Sequence, residues 1–551
     1  MSNSDMSGQP ILILREGTER SRGSEAMHAN IMAAKIVSDA IKSSLGPKGM
    51  DKMLVDNFGD ITITNDGATM LKEMDIQHPA AKMMVEISKT QDDEVGDGTT
   101  SVVMLAGELL SKAEDLVEKK VHPTVIIDGY RKAASEALDV LEEIGIPVDP
   151  KNKDYLRSIA VTSMATKLVS GQAEHLAKIA VDAILQVAEE KDGKHDVDLD
   201  YVKLEKKIGE SISDTNLIKG LVIDKEVVHS GMPKTVKDAK IGLLDAALEI
   251  EKTEFDSKLR IESPEEIRAF LDQEEQTFRG LVDKVKKAGI NVLFCQKGID
   301  DTVQHFLARE GVMAARRVKK SDMEALARAT GAKIVTNVDE LNTADSGYAK
   351  KVEEKKIADN KMIFVEDCRN PRAVSILIRG GTERITDETE RSLHDALSVV
   401  KDVIVKPKIL AGGGAPEIEV ARRIRKFAGT VSGKESLAIK AFADAIETIP
   451  STLAENAGMD PIDALSELQS RHEKGELWAG IDAEAGKVTD MKSQKVYEPM
   501  SIKTQMIKSA SEAASMILKI DDVIASSKMR PPPKGGPGEE YGGGGMPPMP
   551  Q

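Results

Sequence analysis

Across residues 23–45 apolar side chains return every third or fourth position. They place Ile31, Ala34, Val37, Ile41 and Leu45 on one face, and the run stops at the glycine-bearing loop "LGPKG", residues 45–49. That period predicts a helix with one buried side. "KMLVD" and "DITIT" flank Asn57, Phe58 and Gly59, and strict alternation over residues 61–64 predicts a hairpin. A second long helix is expected after Gly98, with Val102, Leu105, Leu109, Ala113 and Leu116 turned to a core, and helical pattern resumes over residues 122–144. Residues 1–150 thus read as mostly helical, and "GIPVDP" at 145–150 marks a boundary.

The middle of the chain changes period. Short strand-like runs, "IGLLDA" (241–246), "NVLFCQ" (291–296) and "AKIVTN" (332–337), alternate with the helical patterns "IDDTVQHFLARE" and "SDMEALARAT", which predicts an α/β region. Residues 249–278 are dominated by charge with scattered Ile, Leu and Phe. Such a segment either projects from the body or lies on it as a solvated surface helix. Past residue 404 long helical runs return, "APEIEVARRIRKFAG" and "ESLAIKAFADAIETIP" among them. The last 21 residues hold seven prolines and seven glycines, a composition that predicts disorder.

Composition narrows the chemistry. A chain of 551 residues exceeds what one core serves, so two to four domains are expected. Aromatics are only 3% of residues, which leaves the interior to aliphatic side chains and 24 methionines. A net charge of −16 has the wrong sign for holding a nucleic-acid backbone. Two cysteines far apart, Cys295 and Cys368, argue against a disulfide framework or a Cys-rich zinc site and for a reducing compartment, and no HExxH occurs among the histidines. With no membrane-length apolar run and no signal-peptide pattern, the expectation is a cytoplasmic protein without nucleic-acid or membrane partners.

The chemistry concentrates at helix starts. "DDEVGDGTTSVVML" sets Asp97 and Gly98 before Thr99, Thr100 and Ser101 and an apolar helix. First-turn N–H groups there are free to face phosphate, the hydroxyls add donors, and a lone carboxylate suits a Mg²⁺ shared with phosphates. The same residues would also serve as an ordinary helix cap. "NDGATM" (65–70) repeats the arrangement, and "LGPKG" adds a third glycine-bearing helix end within the same stretch. A fourth loop, "ILAGGGAPEIE" (409–419), leads into a helix with Pro416 at its start and acids in its first turn. None is a Walker A loop: "GTVSGKES" has three residues between its glycines and Glu435 where Ser or Thr belongs, and no GxGxxG occurs.

Five motifs taken in order, "SLGPKGMDKMLV", "ITITNDGATML", "GDGTTSVV", "RGGTERITDETERSLHDAL" and "AGGGAPEIE", resemble the group II chaperonins, with the match running from about residue 10 to about residue 526. The resemblance implies a multidomain α+β and α/β chain. A mainly helical equatorial ATP-binding domain would be built from residues 1–150 and 404–526, and a small intermediate domain from 151–220 and 370–403. Residues 221–369 would form an α/β apical domain for substrate, with 249–278 as a helical lid protrusion and 527–551 as a flexible tail. It implies ATP and Mg²⁺ as cofactors, non-native polypeptides as substrates, and partners that are copies or paralogues of the chain in stacked rings. The same resemblance assigns site residues. Leu45, Gly46 and Pro47 would line phosphates and base, Asp97 would hold Mg²⁺, and Gly98, Thr99, Thr100 and Ser101 would cradle phosphate. Gly412, Gly413, Asp482 and Glu498 would lie about adenine and ribose, and Lys167 near the γ-phosphate. Asp387 would be the catalytic carboxylate, with Asp66 its equatorial partner; without the resemblance Asp387 reads as a helix cap. The rival readings are a small-molecule phosphotransferase and a structural ring protein with an inert nucleotide.

Overall fold

A computed structural model of the chain describes residues 19–167, 169–191, 193–249, 264–368 and 372–525. The expected tail and residues 250–263 of the expected lid protrusion lie outside the described residues. The chain opens with α1 (Ser24–Lys42), the antiparallel hairpin Lys52–Val55/Ile61–Thr64, α2 (Gly67–Glu73), α3 (Pro79–Val95), α4 (Thr99–Glu118) and α5 (Pro123–Ile144). The apolar faces read from the sequence are the buried ones: Ile31, Ala34, Val37 and Ile41 of α1 meet Val102, Leu105, Leu109, Ala113 and Leu116 of α4 in one core, with Leu45 at its edge. Every residue from Thr99 to Gly107 in α4 is buried, so this helix is enclosed rather than amphipathic over its first half.

Helices α6 (Lys153–Met164) and α7 (Ala173–Val187) follow, then strands, then α8 (Pro264–Lys287), α9 (Asp301–Arg309) and α10 (Lys320–Thr330). A seven-stranded mixed sheet forms their centre. Thr235–Leu244 runs parallel to Val292–Cys295 and Ile334–Val335 and antiparallel to Gly347–Ile357, which pairs onward to Asn360–Cys368 and Gly220–Ile223; Met313–Ala315 closes the other edge. Val292–Cys295 is buried at every position, as a strand covered on both faces must be. Residues of this sheet and of α8, α9 and α10 make a second core. Strand Val374–Gly380, parallel to Val202–Ile208, leads into α11 (Glu383–Val405), which packs with α6 and α7 in a third.

The chain finishes with α12 (Ala415–Ala428), α13 (Lys434–Ile446), α14 (Thr448–Asn456), α15 (Pro461–Glu473) and α16 (Met500–Leu518). Side chains of α12, α13 and α16 enter the same core as α1, α4 and α5, and Glu19–Arg22 pairs antiparallel with Asp522–Ala525. Both ends of the chain therefore build one helical body. The run "ESLAIKAFADAIETIP" is two helices rather than one. Pro450 clashes with the carbonyl four residues back, at Ile446, and that is where α13 stops.

Candidate functional site

The start of α4 is the electropositive end of a 20-residue helix, and Gly98 at its N-cap supplies no side-chain acceptor. Gly98 is left-handed at φ 79, and a Cβ there would come within 2.9 Å of Ile502 Cγ2. Asp97 does not cap the helix. Its Oδ1 accepts from the Gly98 N–H at 2.6 Å, outside the first turn, so the plain capping reading fails here. Gln91 Nε2 fixes the loop by donating to the carbonyls of Asp97 at 3.0 Å and Ile502 at 3.2 Å. Burial pushes the Asp97 carboxyl up, opposed by the Lys167 charge and the Gly98 N–H.

At "NDGATM" capping is realised. Asp66 Oδ2 accepts from the Thr69 N–H at 2.8 Å, while Oδ1 accepts from Thr99 Oγ1 at 3.0 Å. Thr99 therefore spends its hydroxyl on Asp66 and offers a ligand only its N–H. Gly67 is required by contact: a Cβ would sit 2.7 Å from Thr100 N, so α2 abuts the first turn of α4. Burial raises the Asp66 carboxyl, but Lys167 and the Thr69 and Thr99 donors outweigh it and hold it below the usual carboxylate range.

Lys167 is only 7% exposed and ion-pairs with Asp395 of α11. Burial alone would lower the ammonium pKa, yet Asp395, Asp66 and Asp97 together raise it, so it stays charged. Burial pushes Asp395 well above the ordinary carboxylate range against the pull of Lys167. Asp395 thus pairs with this ammonium directly, and the charges of Asp66 and Asp97 also act on it. That excess negative charge, beside an uncapped helix start, is a donor set that fits a divalent cation shared with phosphate. Among the described residues no group of three or more His, Cys, Asp or Glu could hold a metal alone, so phosphate oxygens and water would complete the shell of a cation at Asp97.

A cavity of about 920 Å³ opens at this point. Leu45, Gly46, Pro47, Asp97, Gly98 and Ser101 line it from one end of the chain, Gly413, Asp482 and Glu498 from the other, and Ser163 and Thr166 from the segment that ends α6. The two ends are tied where Asn456 Nδ2 donates to Leu45 O at 2.9 Å, and the C-terminal lining is held to itself by Ile481 N donating to Gly413 O at 2.8 Å and Gly412 N to Val496 O at 3.0 Å. Asp482 Oδ1 accepts from Ala485 N at 3.0 Å, which closes the hairpin it sits on. Thr99, Thr100, Asp66, Lys167 and Gly412 stand behind the lining residues rather than among them.

Asp387 is placed elsewhere. It is partly exposed on α11, with Oδ1 accepting from Lys206 Nζ at 2.6 Å, and it lies two helical turns from Asp395, about 12 Å along the axis at 1.5 Å per residue. Sequence reading passed over Asp395 although it lies in the quoted "RSLHDAL". The apolar period did not mark it: its neighbours on the helix face are Arg391, Ser392, Ser398 and Val399, and the apolar stripe of Leu393, Ala396, Leu397, Val400 and Ile404 runs along the opposite side. Lys503 was missed as well, although it did carry a signal, being one buried cation on the apolar face of α16 that carries Met506, Ile507 and Ala510.

A sequence profile of the TCP-1/cpn60 chaperonin family matches residues 37–528. Among curated proteins, a thermosome subunit of Methanopyrus kandleri is 56% identical over 522 residues, 95% of this chain and 96% of that one. A thermosome subunit of Pyrococcus horikoshii is 57% identical over 524 residues, 95% of each chain. The beta thermosome subunit of Archaeoglobus fulgidus is 54% identical over 521 residues, 95% of this chain and 96% of that one. Identity of this size across nearly the full length leaves no room for a shared motif set on an unrelated fold, and the chain belongs to the TCP-1/cpn60 chaperonin family, in its group II, thermosome-type branch.

Proposed function

We propose that the protein is an ATP-hydrolysing subunit of a double ring that encloses non-native polypeptide and folds it. The observation that carries this reading is the buried Lys167–Asp395 ion pair, on which the charges of Asp66 and Asp97 also act, with the uncapped start of α4 and a cavity of about 920 Å³. ATP with Mg²⁺ would bring the transferable phosphoryl group and the cation that neutralises it. Backbone N–H groups of Thr99, Thr100 and Ser101, opened by Gly98, bind the phosphates, and Asp97 holds the cation. Leu45, Gly46, Pro47, Gly413, Asp482 and Glu498 flank base and ribose, with Gly412 behind Glu498. Lys167 stabilises negative charge at the terminal phosphate.

Asp395 is the better candidate than Asp387 for orienting and deprotonating water. It is buried, its carboxyl is pushed up by burial against the pull of Lys167, and it ion-pairs with that ammonium, on which the charges of Asp66 and Asp97 also act, whereas Asp387 is committed to Lys206. Asp66, held by Thr69 and Thr99, keeps a fixed negative charge opposite it. Because α11 and the end of α6 belong to a different core from α4, movement between those bodies would make or break the site, which couples hydrolysis to closure.

In this reading the helical body of both chain ends is the equatorial domain, the α6–α7–α11 body the intermediate domain, and the seven-stranded sheet with its helices the apical, polypeptide-holding domain. Ring partners are copies or paralogues of the chain, in keeping with relatives named as alpha and beta subunits. The reading places the protein in the cytoplasm; among the described residues no helix is long and apolar enough to cross a membrane. The test is refolding of a denatured enzyme by purified protein with ATP, beside Asp395→Ala, with ring formation followed by electron microscopy. Rings that refold the enzyme only with Asp395 intact support the reading. ATP turnover without rings or refolding would overturn it in favour of a small-molecule phosphotransferase.

A further inference from the structure

Lys503 lies in the first turn of α16, is 6% exposed, and reaches two carboxylates that belong to different segments. Its Nζ stands 2.8 Å from Glu417 Oε1, in the first turn of α12, and 2.6 Å from Glu498 Oε2, on the strand Tyr497–Pro499. Glu417 is 2% exposed and is not among the residues that line the cavity, whereas Glu498 and Lys503 both are. Neutralising a buried ammonium needs one carboxylate, and Glu417 supplies it. The second arm therefore has another effect: it immobilises a carboxylate on the cavity wall. The other Glu498 oxygen, Oε1, lies over Gly412, where a Cβ would approach it to 3.2 Å. Glu498 is thus held on one side by Lys503 and on the other by the absence of a side chain at Gly412. Burial pushes the Glu498 carboxyl up and Lys503 opposes it, while Glu417 and Glu498 overcome the burial of Lys503 and keep it charged.

We propose that Lys503 is a positioning residue for nucleotide selection: its ammonium fixes Glu498 so that this carboxylate accepts a hydrogen bond from a ribose hydroxyl. The proposal rests on the ATP reading above. It assigns Lys503 no contact with the phosphates and no part in hydrolysis.

The test compares equilibrium binding of ATP and 2′,3′-dideoxy-ATP to the full chain by calorimetry. Lys503→Met alone leaves Glu417 and Glu498 buried without a cation and can fail to fold, so the decisive variant is the charge-balanced pair Lys503→Met with Glu417→Gln, beside Glu498→Gln. Wild type should prefer ATP by about tenfold, the effect of one hydrogen bond to a charged group. In the paired variant the preference should fall to within about twofold, as in Glu498→Gln, with dideoxy-ATP binding kept within about threefold. A preference that survives in the paired variant, equal weakening of both nucleotides, or a wild type without preference would overturn the proposal. A wild type that binds neither nucleotide would overturn the ATP reading itself.

Discussion

Lys167→Met removes the ammonium that Asp66, Asp97 and Asp395 share. The side chain keeps most of its length, so the change is chiefly one of charge. Lys167 is 7% exposed, and breaking a buried pair by removing one partner costs about 3–5 kcal/mol because the other charge stays behind. Protonation of Asp395 returns part of that, since its carboxyl is already pushed up by burial and loses its main opposing charge. A net cost of about 3 kcal/mol should lower the melting temperature by roughly 6–12 °C. The pH dependence has a definite sign. In the variant the folded state retains a proton on Asp395 that the unfolded chain releases near pH 4, so stability falls as pH rises above about 4, more steeply than in wild type. The deficit at pH 5 is therefore smaller than at pH 7.5. Differential scanning calorimetry at both pH values measures this, with Lys167→Met plus Asp395→Asn as control. The double variant, which removes the pair together, should recover most of the loss. A single variant that melts within about 1 °C of wild type, or a double variant no better than the single, would refute charge compensation as the reason Lys167 is buried.

Burial pushes the Asp402 carboxyl up to about 6, against the Ser501 hydroxyl that donates to it at 2.6 Å. Its folded-state proton is lost as pH rises through about 6, and with it stability, so Asp402→Asn should be more stable than wild type on the order of 2 kcal/mol at pH 7 and little different at pH 4, by urea unfolding. Gly67→Ala drives a Cβ to 2.7 Å from Thr100 N, backbone that cannot rotate away, and should cost about 1–3 kcal/mol while weakening nucleotide binding; unchanged melting would show that α2 does not brace the start of α4. Tyr130→Phe loses the bond to Leu109 O at 2.7 Å but keeps the edge contact with Phe442, and should cost about 1 kcal/mol against about 3–5 for Phe442→Ala, measured by denaturant midpoints.

Much of this was legible because it is local. The apolar faces of α1 and α4 follow from spacing alone, and both are buried as read. Strand segments were found too, but not their partners: that Thr235–Leu244 sits between Val292–Cys295 and Gly347–Ile357 is decided by contacts that sequence periodicity does not encode. The stop at Ile446 was visible in Pro450, whose effect falls four residues upstream of the proline itself. For the site, glycine loops were readable as places where backbone comes close, whereas their causes differ: Gly98 adopts φ 79, and Gly67 makes room for α4. Asp387 was singled out by the family resemblance of "ITDET" and not by its own surroundings, Asp395 lies among polar neighbours on α11, and Lys503 was hidden inside an apolar face. A charge at an apolar helical position is the stronger signal, since leaving it there unpaired costs several kcal/mol, roughly.

The central claim is that water is activated by Asp395 at the start of α4. Steady-state ATP hydrolysis with Mg²⁺, measured side by side for wild type, Asp395→Asn and Asp387→Asn in assembled protein, tests it most directly. The account predicts a loss of about 10²–10⁴-fold in kcat for Asp395→Asn with nucleotide binding retained, and a change within about threefold for Asp387→Asn. Full activity in Asp395→Asn with loss in Asp387→Asn would contradict it.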